Sequence, residues 1–240
     1  MALIVFAMPP AAKPRKIREP AHTVPIWMRS VYKGRDLGRL SARMPESLRH
    51  LAMLSYFPAK QEVILKNGVR IVLKALPPDA AWYNPFFRFA AFPHPAELKK
   101  HPALSALKKK GLSDATDKLA GGLMYIRAWF PTTEARRELI ADRVIPKGPM
   151  VVINDIQMRA QFAKLKPNSI RKKFWHCDDM LISRFETHSK AGGIKSIVVE
   201  EPRNAPPTQR QKLYHSLLAD HGYAFVKGKK SGQGYWVKEL

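Results

Sequence analysis

The segment "EVILKNGVRIVLKAL", residues 62–76, predicts a β-hairpin, and the rest of the fold can be worked out from it in both directions. Two runs rich in β-branched residues flank Asn67-Gly68, a pair that tolerates the positive φ angles of a type I′ turn. After the hairpin, "NPFFRFAAF" predicts another strand that begins beyond Pro85. "AELKKHPALSALKKKG" then predicts a partly helical basic segment that Pro102 interrupts or starts. Before the hairpin, "PESLRHLAMLSYF" has apolar residues at helical spacing.

The middle of the chain reads as strand, helix, strand in "GLMYIRAWFP", "TTEARRELIADRV" and "GPMVVIND". A right-handed parallel crossover is the default for such a unit. Two further helices are predicted, one over "DIQMRAQFAKLK" and one over "DDMLISRFETHSKAGG", the second ending at Gly192-Gly193.

The last part of the chain predicts a strand, "IKSIVVEE", and a helix capped by Thr208, "TQRQKLYHSLLADHG". "HGYAFVKGKKSGQGYWVKEL" then predicts a hairpin with strands over 223–227 and 234–238. Side-chain alternation places Tyr223 and Phe225 on one face, where both are expected in the core. Tyr235 and Trp236 point to opposite faces, so at least one of them is expected to be accessible for stacking on a base or ribose.

These elements predict an α+β fold: a mixed sheet with flanking helices, an extended basic N-terminal arm and a C-terminal β-hairpin. The predicted divisions are an arm over 1–40, an α/β core domain over 41–193 and a strand–helix–hairpin module over 194–240. The arm is rich in proline and lacks apolar periodicity. We expect it to become ordered only against RNA or a neighbouring protein.

The charge of the chain indicates a polyanionic partner. Among 240 residues there are 42 Lys and Arg against 19 Asp and Glu, a net charge of +23. Self-repulsion destabilises a free domain with this charge, and bound phosphates relieve it. No run of about 18 apolar residues is present, so no membrane span is predicted. A single cysteine, Cys177, excludes an internal disulfide and a cysteine-rich zinc site.

Three separated clusters of basic residues are candidate RNA contacts, and their spread predicts many phosphate contacts rather than one specific groove. From residue 159 to residue 173 no acid interrupts the second cluster, whereas a solvated helix face usually mixes charges of both signs. The glycines of the third cluster allow close backbone approach to phosphate. The candidate residues are Lys108, Lys109 and Lys110; Arg159, Lys164, Lys166, Arg171, Lys172, Lys173 and Trp175; and Lys227, Lys229, Lys230, Tyr235 and Trp236.

Two other kinds of nucleic-acid protein share features of the C-terminus. "GYAFV" matches the centre of the RNP1 pattern, but only fourteen residues follow Val226, too few for the helix and strand that complete an RNA-recognition motif. A helix followed by a Gly-rich basic hairpin is also typical of a winged-helix domain. A DNA-binding replication or viral protein with such an end is therefore an alternative.

Enzyme patterns are weak. "WHCDD" groups His176, Cys177 and two aspartates, but a catalytic thiol needs its base from elsewhere in the fold, and negative charge at a helix N-terminus explains Asp178 and Asp179. Asp79 with "ELK" at Glu97 formally fits a Mg²⁺-dependent nuclease pattern, which is kept as a second alternative. We predict no catalytic set, no metal site and no cofactor.

The whole pattern resembles a mitochondrial ribosomal protein. More narrowly, "SLRHLAMLSYFPAKQEVILKNGVRIVL" leading to "YNPFFRFAAF" resembles the thioredoxin-like family shared by mitochondrial ribosomal proteins and a small complex I subunit, with Asn84 and Pro85 opening a strand. The resemblance implies a non-enzymatic protein that binds ribosomal RNA and, through its arm, neighbouring ribosomal proteins. It implies a mitochondrial location; a cytoplasmic or nucleoid-associated one is the alternative.

Overall fold

The computed structural model describes residues 56–76, 87–108, 119–131, 133–146, 148–201 and 210–240. These residues form the predicted α+β fold, a mixed sheet with flanking helices. Several predicted features lie outside the described residues: the arm over 1–40, the helix over "PESLRHLAMLS", Asp79, Asn84, Pro85, Lys109, Lys110 and Thr208.

Eight strands of the described part of the chain form one sheet. They are β1 Gln61–Ile64, β2 Arg70–Leu76, β3 Phe87–Pro93, β4 Met124–Trp129, β5 Met150–Met158, β6 Ser196–Glu200, β7 Ala224–Lys227 and β8 Gly234–Glu239. Their order across the sheet is β1-β2-β3-β4-β5-β6-β8-β7. Neighbouring strands are antiparallel except β5 and β6, which are parallel. Strands from both sides of the predicted division at 193/194 therefore belong to the same sheet.

The helices lie between these strands in the sequence. They are α1 Pro95–Lys100, a 3₁₀ helix over Pro102–Lys108, α2 Thr133–Ala141, α3 Ala160–Ala163, α4 Asn168–Lys173, α5 Cys177–Ala191 and the π-type helix α6 Arg210–Leu218. Pro102 starts the 3₁₀ helix, as one reading of the sequence expected. The predicted end of α5 is confirmed: Gly193 has φ of 82°, in the left-handed region where glycine is favoured.

The hairpin over 62–76 is confirmed, but its predicted turn type is wrong. The N–H of Gly68 donates to the Leu65 carbonyl at 2.9 Å, and that of Leu65 donates to the Val69 carbonyl at 2.8 Å. Gly68 has φ of 81°, whereas Asn67 is not in the positive-φ region that a type I′ turn would require of it. The Asn67 side chain instead accepts from the Val69 N–H and donates to the Lys173 carbonyl at 2.7 Å, which brings α4 against the hairpin.

The strand–helix–strand unit in the middle of the chain has the predicted elements but not the predicted direction. β4 and β5 are antiparallel neighbours, so α2 does not form a parallel crossover. The parallel crossover is formed one unit later, where α3, α4 and α5 connect β5 to β6. The helix predicted over "DIQMRAQFAKLK" is also wrong in its first third, because Asp155–Met158 continue β5 and pair with β4.

The core lies mainly between the sheet and α5. Phe185 of α5 lies 5.2 Å from the ring of Phe57 and 6.1 Å from that of Phe87. Leu181 and Ile182 of the same helix are fully buried. On the opposite face of the sheet, Leu139 of α2 and Val144 pack with Val152 and Tyr235 in a smaller cluster. Both faces of the central strands are therefore covered.

Candidate nucleic-acid interface

The helices α3 and α4 follow the carboxyl end of β5 and lie at one end of the sheet. The strand register places the β1–β2 turn at that end, because Ile71 pairs with Pro93, Ala91 with Met124, and Met124 with Met158. The segment 159–177 contains no acidic residue. This acid-free segment therefore lies at the end of the sheet that also contains the β1–β2 turn.

The lysines of this segment face solvent. We define the basic surface as a set of exposed lysines together with partly exposed His101: Lys66, Lys164, Lys166, Lys172, Lys173 and His101. The Lys173 ammonium donates to Nε2 of His101 at 3.2 Å, so one basic group is paired with another rather than with a carboxylate. Lys66 contacts Asp179 at 3.7 Å, but its side chain is 75% exposed, so this ion pair leaves most of its charge open to solvent.

The basic surface is anchored by a buried aromatic residue. Phe174 is 2% exposed, and its ring meets that of Phe162 edge-on at 5.9 Å between centroids. Cys177, three residues later, is also buried. Between these two anchors, Trp175 is 68% exposed and His176 has φ of 72°. Trp175, one of the candidate RNA contacts from the sequence, is therefore accessible to a ligand.

The two arginines among the predicted contacts of this segment have structural partners. Arg159 is buried and donates to the Leu119 carbonyl, which ties the start of α3 to the loop before β4. Arg171 donates to the Ala163 carbonyl at the end of α3. Because Arg159 is inaccessible, its predicted role as an RNA contact is replaced by this structural one.

The C-terminal hairpin is confirmed as an element, but its aromatic residues are distributed differently from the prediction. Tyr235 and Trp236 are 7% and 5% exposed, so the prediction that one of them is accessible is wrong. β8 lies between β6 and β7, and side chains pack on both of its faces, since Trp236 belongs to the main core cluster and Tyr235 to the smaller cluster on the opposite face. Tyr223 is buried as expected, whereas Phe225, on the edge strand β7, is 46% exposed.

The tip of this hairpin already holds an internal carboxylate. Asp142, just after α2, accepts from the N–H of Lys230 at 2.7 Å and of Ser231 at 2.9 Å, and from the Tyr235 hydroxyl at 3.1 Å. The hydroxyl of Ser231 also donates to it. These bonds, with that of the Ser231 hydroxyl the largest contribution, lower the pKa of Asp142 to about 2. The backbone N–H groups of Lys230 and Ser231 are thus already occupied, while the side chains of Lys227, Lys229 and Lys230 remain exposed.

Cys177 and Glu97, which belong to the two enzyme patterns and lie within the described residues, have structural roles in the fold. Cys177 is buried and burial raises the pKa of its thiol, the opposite of what a thiolate nucleophile requires. Glu97 is buried in α1 and bonds to Lys100 at 3.1 Å. Within the described ranges, no cluster of three His, Cys, Asp or Glu side chains could hold a metal ion.

A polar group that the sequence prediction missed lies where β5 and β6 stop pairing. β5 has a bulge at Asn154, since Arg127 pairs with Asp155 and Ala128 with Ile153. Asn154 accepts from Arg127 at 2.6 Å and donates to Glu200 at 2.7 Å. Burial raises the pKa of Asp155 to about 6, and Arg127 opposes this only in part. The signal available in the sequence was "ND" directly after the apolar run "VVI".

Comparison with known proteins adds little. No protein-family model matches the sequence, and no curated protein matches it. Among solved structures, the chain is similar to an acetyltransferase from Streptococcus agalactiae with a TM-score of 0.30 and 11% sequence identity, over 65% of this chain and 67% of that one. At this TM-score the match shows neither a shared fold nor a shared activity. None of the helices in the described residues has the length and apolarity needed to cross a membrane.

Proposed function

We propose that this protein binds RNA as a non-enzymatic component of a large ribonucleoprotein, through phosphate contacts made by the basic surface. The observation that carries the proposal is the acid-free segment 159–177, whose four lysines are exposed at one end of the sheet and adjoin Lys66 and His101. Lysine ammonium groups are suited to phosphate because they act as mobile point charges with three donors.

The net charge of the chain supports the same partner. A charge of +23 attracts a polyanion from a distance, and each neutralised phosphate releases counterions from the nucleic acid. Lys227, Lys229 and Lys230 provide a second exposed group that can contact the backbone of a long RNA. Contacts of this kind determine affinity and position but carry little sequence information.

The test compares two double variants in RNA binding at several salt concentrations. Lys172→Gln/Lys173→Gln removes two charges from the basic surface, and Lys190→Gln/Lys195→Gln removes two exposed charges near the other end of α5. We expect the first variant to reduce the slope of log binding constant against log salt concentration by about 1.5. The reduction should be the same for RNAs of different sequence. The second variant should change it little. Equal slopes for both variants and the wild type would contradict the proposal.

We propose more narrowly that the ribonucleoprotein is a mitochondrial ribosome. This narrower proposal depends on the resemblance of residues 47–73 and 83–92 to a family of mitochondrial ribosomal proteins. Sedimentation of a mitochondrial lysate tests it. We expect the protein to migrate with a ribosomal subunit at low salt and to dissociate on RNase treatment. Migration as a free protein that binds a defined DNA duplex would favour the DNA-binding alternative instead.

A further inference from the structure

Trp175 is a large apolar side chain that the fold holds in solvent. It is 68% exposed, yet it lies between Phe174 and Cys177, which are 2% and 3% exposed. The backbone N–H of Trp175 donates to the Lys172 carbonyl at 3.1 Å, which fixes the backbone at this position. An exposed tryptophan on an anchored backbone loses little conformational freedom when a ligand covers it.

The surroundings of Trp175 select the kind of ligand. Lys172 and Lys173 lie three and two residues before it with no acid back to Asp155, and Asp178 follows it by three residues in the first turn of α5. An exposed indole on the same short segment as exposed lysines matches a nucleotide, which presents a flat base next to a phosphate. Phe225, the other exposed Phe, Tyr or Trp among the described residues, differs because its ring is already against those of His215 and Trp236, at 5.8 and 5.2 Å between ring centroids.

We infer that Trp175 stacks on an unpaired base while Lys172 and Lys173 contact the adjacent phosphates, so that the basic surface takes single-stranded RNA in preference to a duplex. This inference rests on the proposed RNA-binding function. In a duplex the base faces are covered by their neighbours and cannot reach the indole, whereas in a single strand every base has a free face. Stacking is tolerant of sequence, so we expect no strong base preference.

The test measures the affinity of Trp175→Ala, Trp175→Phe and the control Phe225→Ala for a labelled single-stranded RNA decamer and for the same sequence as a duplex. We expect Trp175→Ala to weaken single-strand binding about tenfold and to leave duplex binding and the salt slope unchanged. Trp175→Phe should keep most of the affinity, because a phenyl ring also stacks. Phe225→Ala should behave as the wild type.

Tryptophan fluorescence gives a second measurement. Single-stranded RNA should quench the wild-type signal more than that of Trp175→Phe. Equal effects of Trp175→Ala on single-strand and duplex binding, or no effect on either, would overturn the inference while the lysine variants still test the proposed function. If the wild-type protein bound no RNA at low salt, the proposed function itself would fail, and this inference with it.

Discussion

At the scale of single residues, Asp155 shows how local environment sets a property that composition does not. It is 8% exposed in β5, and its carboxylate lies 3.9 Å from the Arg127 guanidinium. Burial is the largest cause of its raised pKa, about 6 against an ordinary value of 3.8. Between pH 3.8 and pH 6 the folded protein therefore keeps Asp155 protonated, whereas the unfolded chain has released that proton. The contribution of Asp155 to stability is fully present below about pH 4, and it is lost as the pH rises through 6.

Asp155→Asn removes this loss. Raising a pKa from 3.8 to about 6 corresponds to about 3 kcal/mol. We expect the free energy of unfolding of the variant minus that of the wild type, measured by urea denaturation, to be about 2–3 kcal/mol larger at pH 7.5 than at pH 4. Asp220→Asn, at an exposed position, is the matched control. The same pH dependence in Asp155→Asn and the wild type would show that folding does not raise the pKa of Asp155.

At the scale of elements, the C-terminal hairpin is fastened by a residue far from it in the sequence. Asp142 bonds to the backbone of Lys230 and Ser231, so the loop is ordered by a carboxylate of this chain. Gly228 permits the approach, because a Cβ at that position would lie 2.7 Å from Oδ2 of Asp142. The composition of this loop predicted a phosphate-binding site. In the structure, its backbone N–H groups bind Asp142 at the end of α2 instead.

Removing the Asp142 carboxylate should loosen this tip without unfolding the sheet. We expect Asp142→Ala to accelerate amide hydrogen exchange at Lys230 and Ser231 at least about tenfold and to leave the amides of β2 and β3 unchanged. Asp142→Asn should retain most of the protection, since its side-chain oxygen can still accept from both amides. In the wild type the low pKa predicts that protection persists above pH 4 and weakens as the pH falls toward 2. Unchanged exchange in Asp142→Ala would show that the tip is held by other contacts.

At the scale of the whole molecule, the C-terminal module is part of the core. β6 pairs with β5 on one side and β8 on the other, and Ile197, Val199 and Trp236 are in the main buried cluster. Polar contacts cross the same division: His221 contacts Asp179 at 3.0 Å, and Lys238 contacts Glu186 at 2.7 Å. A chain without these strands would leave β5 as an unpaired edge.

The full chain is therefore expected to unfold as a unit. Urea denaturation followed by far-UV circular dichroism and by tryptophan fluorescence should give coincident single transitions. A fragment over 1–193 should lack a cooperative transition, because it has lost part of the core that covers α5. A fragment that folded cooperatively would instead show that 193/194 separates two independent domains.

Much of the local structure was determined by the sequence alone. The hairpin around Gly68, the strand in "IKSIVVEE", the end of α5 at Gly192-Gly193 and the C-terminal hairpin all follow from turn residues and side-chain periodicity within about ten residues. Such signals act over short distances, because φ preferences and alternation depend only on neighbouring residues. Lys172, Lys173 and Trp175 were chosen as candidate RNA contacts from an equally local pattern, a basic run without acids and the aromatic residues that follow it.

Only the tertiary structure decided what depends on residues far apart in the chain. Three examples are the antiparallel pairing of β4 with β5, the burial of Tyr235 and Trp236, and the structural role of Arg159. Each depends on strands or loops that are distant in the sequence. Asp142 and Ser231 are 89 residues apart, so no local pattern shows that one fastens the other. Burial and strand direction minimise the exposed apolar surface and the unpaired backbone of the whole sheet, and those are properties of the assembled fold rather than of any segment.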